Sequence, residues 1–214
     1  MPIQPPVLQQ RPQPSRNKQV IKISIDLNKI QTDFDRNIQD IEAKFNLVQS
    51  ILGTSPDLAK DIWRSQIVFL DSALDFYIHE IARFGMSKII NDEWADTKQF
   101  NKFQISMKLA RILIVTPENL NLFMDEIDES NQKNCFMKFE NIKRQLNLIG
   151  VAIDKDDNNE NQIDNLFKRR NEIAHQADFS NGVKNNITEQ EVRNFIDAVK
   201  ILQTKIQNAI IAKG

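Results

Sequence analysis

A single cysteine, Cys135, stands among the 214 residues, so no disulfide can form within the chain, and that usage fits a reducing compartment. With only two histidines beside it, a zinc site of the usual Cys/His type is excluded as well. The five glycines lie at least 32 positions apart. No phosphate-cradling loop and no dinucleotide fingerprint can be built from such spacing. No apolar run approaches the ~20 residues of a membrane span. The N-terminus, Met1-Pro2-Ile3-Gln4-Pro5-Pro6, lacks the basic-then-apolar layout of a secretory signal, so the expected location is the cytoplasm. Neither sign of charge dominates: 28 basic side chains meet 29 acidic ones, for a formal net charge of −1. Any contact with nucleic acid must therefore come from a local basic patch. What is present, 41% apolar and 27% charged residues, is the balance of a globular domain.

Residues 1–20 read as a mobile tail. Five prolines (Pro2, Pro5, Pro6, Pro12, Pro14) and several glutamines leave too little apolar surface to offset the entropy of folding. Residues 21–214 read as one domain. Ile21, Ile23, Ile25 and Leu27 alternate with polar residues, as one short extended segment would. Everything after that has helical spacing. Ile30, Phe34, Ile38, Ile41, Phe45, Val48 and Leu52 form a stripe that ends at Gly53. Ser55-Pro56-Asp57 opens a second helix running towards Gly85, apolar nearly all round from Ile62 to Ile81, as in the middle of a bundle or at a subunit interface. Phe103 to Val115 forms a short helix, and Thr116-Pro117-Glu118 restarts another that closes before Gly150. A polar loop from Asp154 to Glu160 precedes a helix through Ile163, Leu166, Phe167 and Ile173, and Asn181-Gly182 makes a turn. Thr188 with Glu191 forms a capping box for the last helix. The glycines all fall between helices or at the end. The expected architecture is an all-α, up-and-down bundle of four to six helices.

Two weaker signals carry little chemistry. Asp154, Asp156 and Asn158 have the spacing of a calcium loop, but Asn159 stands at its sixth position and Asn165 at its twelfth, where glycine and glutamate are required. Cys135 has no histidine near it in sequence and reads as a core thiol.

The informative segment is Phe167-Lys168-Arg169-Arg170-Asn171-Glu172-Ile173-Ala174-His175. On a helix, Asn171 and His175 are one turn apart on one face, and Arg170 sits about 100° round. Arginine grips phosphate with a planar fork of donors. Histidine, with an ordinary pKa of about 6.5, moves protons at neutral pH without a metal. Together they could promote attack by an RNA 2′-hydroxyl on the adjacent phosphate, with Asn171 holding the imidazole or a phosphate oxygen. Lys168 and Arg169 would contact substrate and add the positive charge that the whole chain lacks. The plainer reading has His175 settling on the helix dipole and Arg170 pairing with Glu172 or Asp178.

An arginine, a polar residue, three further positions and a histidine, placed late in an all-α chain, resemble the signature of the HEPN superfamily. The intervening Glu172-Ile173-Ala174 wording resembles it too. The resemblance covers residue 28 or so to the C-terminus. It implies a HEPN-like helical bundle, usually dimeric, and metal-independent endoribonuclease activity without a cofactor, carried by Arg170, Asn171 and His175. It also implies RNA as the substrate, a homodimer, and an antitoxin or defence-system partner in a prokaryotic toxin–antitoxin or phage-defence setting. The alternative is a non-catalytic HEPN module that binds a nucleotide or a protein.

On the central helix Asp71, Asp75, His79 and Arg83 recur at four-residue steps. This polar stripe is either the solvent-facing edge or a row facing the Arg170–His175 motif, with Asp75 and His79 as auxiliary groups.

Overall fold

The computed structural model describes residues 22–116, 122, 126, 138–180 and 182–214. Among them are six α-helices: α1 (Leu27–Ile51), α2 (Pro56–Ile90), α3 (Met107–Val115), α4 (Phe139–Leu148), α5 (Asp157–Gln176) and α6 (Glu189–Lys213). The starts are written in the sequence. Asp26, Ser106, Asp156 and Thr188 each accept a backbone N–H of the first turn with their side chain, worth about 1 kcal/mol apiece. Thr188 accepts from the Glu191 amide at 3.2 Å, but the Glu191 carboxylate turns instead to Arg169 at 3.1 Å. The capping box is thus half built, and its acid is diverted into a tertiary contact. Pro56 takes the first position of α2, while the Ser55 side chain makes no capping bond.

Side-chain contacts fix the order and direction of the four long helices. Gln66 reaches the Ile41 carbonyl and Phe34 packs on Tyr77. Asp71 meets Arg170 and Arg64 meets Asp178. Asn159 reaches the Ala198 carbonyl, and Lys205 reaches Asp156. Gln203 meets Gln31, and Glu189 meets Gln49. In every pair one number rises as the other falls, so α1, α2, α5 and α6 run alternately up and down and close into a ring. This is the four-helix bundle that the apolar stripes anticipate. α2, 35 residues and about 50 Å long, touches the other helices α1, α4, α5 and α6. That explains why it is apolar on so much of its circumference. Ile67, Leu70, Leu74, Tyr77, Ile78 and Ile81 are buried in the core beside Phe34 and Phe167.

Residues 22–26 belong to no helix or strand. The Asn91 side chain takes the place of a neighbouring strand, donating to the Ile23 carbonyl at 2.8 Å and accepting its N–H at 3.1 Å. The β-structure found is instead a two-residue hairpin, Phe179–Ser180 with Val183–Lys184, around Gly182 at φ 78°. The Asp154–Glu160 loop is shorter than read: Asp156 caps α5, and the helix is under way at Asp157. Asp156 also pairs with Lys205 at 2.7 Å, and that hydrogen bond lowers its pKa. The helix restart at Pro117 and Cys135 lie outside the described residues.

Gly85 is a further correction. It lies inside α2, where a Cβ would stand 2.6 Å from both Cβ and Cδ1 of Ile149. A Cβ is anchored to its backbone, so the space cannot be made by a rotamer change. Gly85→Ala is expected to cost about 1–3 kcal/mol through overpacking, of which the better helix propensity of alanine returns about 1 kcal/mol. Urea unfolding should show the loss, and Ile149→Ala in the same chain should recover part of it. An additive double mutant would show that the two residues are not in contact.

Candidate functional site

α5 carries the motif along its C-terminal half. Ile163, Leu166 and Phe167 bury one side of the helix, and this packing directs the polar residues away from the core. Lys168, Asn171 and His175 share one open cleft of about 650 Å³ with Asp164, Glu172, Gln176 and Lys138. His175 sits in the last turn of α5 and is exposed. Asp164 is one turn before Lys168 on the same face. Its carboxylate also accepts the Phe139 amide at 2.6 Å, which fastens the start of α4 beside the cleft. Lys138, the residue before α4, adds a second cation to the rim.

Arg170 points from α5 towards α2. Its Nε donates to Oδ2 of Asp71 at 2.7 Å, and Nη1 donates to Oδ1 of Asn171 at 2.9 Å. Asp71 on α2 is thus a partner that the spacing within α5 did not indicate. Asp71 is almost wholly buried, whereas the Arg170 side chain keeps 26% of its surface exposed. Asn171 is the link between the two halves: it binds Arg170 and lines the cleft with His175. Burial pushes the Asp71 carboxyl above the ordinary carboxylate range, against the opposing pull of Arg170, and Asp75 adds to the rise. Burial raises Asp75 also, with His79 and Arg170 holding it back. The first turn of the polar stripe thus faces the motif helix rather than solvent.

His79 does not join His175. It lies 3.6 Å from Asp75, eight residues along α2 from the Asp71–Arg170 contact, while His175 lies five residues along α5 in the opposite sense. At 1.5 Å per residue the two imidazoles are about 20 Å apart along the bundle. They cannot act on one phosphate within one chain.

Arg169 also departs from its expected place as a substrate contact. It is buried, and its guanidinium donates to Asp178, Glu191, Glu172 and the Asn186 carbonyl. Those partners occupy the donors that a phosphate would need, so Arg169 belongs to the scaffold and Lys168 alone of the pair reaches the cleft. Asp164 was legible in the sequence from its spacing with Lys168, Asn171 and His175. Lys138 was not, because it arrives from another helix. Among the described residues no group of three or more His, Cys, Asp or Glu side chains is placed to hold a metal ion, and no helix is long and apolar enough to cross a membrane.

An antiparallel all-α bundle with Arg170-Asn171 and His175 on the next-to-last long helix is the arrangement that the HEPN resemblance implies. The chain matches the family model described as RiboL-PSP-HEPN over residues 19–212, and it belongs to that family within the HEPN superfamily. No curated protein and no solved structure matches it.

Proposed function

We propose that the chain is a metal-independent endoribonuclease of the HEPN type. The observation that carries this reading is the cleft itself: His175 and Asn171 line it beside Lys168 and Lys138, with Arg170 tied in through Asn171. In the reaction, an imidazole takes the proton of a 2′-hydroxyl, and the oxygen attacks the neighbouring phosphorus. The bond to the 5′-oxygen breaks, and that oxygen leaves with a proton from a second group. Arg170 stabilises the charge that develops on the phosphate oxygens, and the lysines hold the flanking backbone.

One cleft offers one imidazole, and His79 is too far away to be the second. The active unit is accordingly a homodimer in which a twofold axis brings two motifs together. The cytoplasmic toxin–antitoxin or phage-defence setting, with an antitoxin or defence protein as partner, follows from the resemblance.

The test is purified protein with total RNA, with and without EDTA, at a concentration where light scattering gives the mass. Cleavage by a dimer, undiminished in EDTA, is expected. RNA bound but uncut would establish the non-catalytic module instead, and a fully active monomer would refute the shared site.

A further inference from the structure

His175 stands in the last turn of α5, and last turns ordinarily fray. Here the chain leaves the helix through two successive non-glycine residues in the left-handed region, Ala177 at φ 49° and Asp178 at φ 64°. Their amides both return to the Glu172 carbonyl, a Schellman-type ending that normally uses glycine. Such backbone persists only where its surroundings over-determine it. The surroundings are the Asp178 carboxylate, which is fully buried. It accepts from Nε of Arg64 on α2, from Nη1 and Nη2 of Arg169 on α5, and from Nδ2 of Asn185 beyond the hairpin. Its own carbonyl accepts the Asn185 amide at 2.7 Å, and Arg64 closes the circuit on the Asn185 carbonyl at 2.7 Å. Arg169 runs on to Glu191 of α6 and to Glu172 at the cleft.

We infer that Asp178 is the positioning residue of the motif: it locks the C-terminal turn of α5 to α2 and α6, and so holds the His175 imidazole at a set place in the cleft. This rests on the ribonuclease reading for its consequence, but not for its test. With only two histidines, the ring signals of His175 and His79 are assignable by NMR, and His79 serves as the internal control. In Asp178→Asn, measured well below its melting temperature with helical content unchanged, the His175 ring signal should move or broaden while that of His79 stays. RNA cleavage should lose about tenfold or more in kcat with KM within about twofold, as misplacement of a catalytic group does. Asn185→Ala, which removes one donor to Asp178, should show the same pattern more weakly, and it carries the test if Asp178→Asn does not fold. An unmoved His175 signal in the folded variants overturns the inference. If the parent cuts no RNA, the ribonuclease reading fails, and the NMR comparison still decides the positioning role.

Discussion

His175→Ala is expected to slow RNA cleavage by about a hundredfold or more, the scale on which a positioned acid or base contributes, without loss of fold. The side chain is exposed at the end of α5, so its removal leaves no cavity and no orphaned buried group. Forced dimers of wild type with His175→Ala sharpen the result. Two motifs serving one phosphate predict that one dead subunit reduces the pair well below half activity. Independent sites predict a retained half.

The largest expected effect on stability lies nine residues from Arg169. Asp178→Ala removes the buried carboxylate that Arg64 and Arg169 share, both of them buried, and leaves the two guanidinium groups to their more exposed partners, Asp61 for Arg64 and Glu172 with Glu191 for Arg169. Breaking a buried ion pair in this way costs about 3–5 kcal/mol, about a fifth or more of the total for an ordinary domain. Denaturant unfolding checks it. Lys155→Ala, which loses a pair with Asp157 in which both side chains are 73% exposed, should leave the midpoint where it is. A similar midpoint for both variants would mean that the arginines find other partners.

The contrast between neighbouring arginines shows where sequence reasoning stops. Arg169 and Arg170 are adjacent and alike on paper, yet a step of one residue turns the side chain by about 100° on a helix. Arg170 faces Asp71 and keeps an exposed edge, whereas Arg169 is swallowed by the junction of α2, α5, α6 and the hairpin. The long helices were readable because apolar periodicity and caps are local signals: Ile30 to Val48 and Val192 to Ile210 are buried as their spacing requires. The site was half readable. Asn171 and His175 share a face by spacing alone. The pairing of Asp71 with Arg170, 99 residues apart, depends on how their two helices are set in register. Gly85 was misplaced for the same reason, since the residue that demands it is Ile149 of another segment.

The central claim, that the Arg170–His175 motif cuts RNA by internal attack of the 2′-hydroxyl, is tested most directly by the ends it leaves. RNA cut by the purified protein in EDTA should carry a 2′,3′-cyclic phosphate or 3′-phosphate on one fragment and a 5′-hydroxyl on the other. Fragments with a 3′-hydroxyl and a 5′-phosphate, or cleavage that stops when EDTA is added, would contradict it.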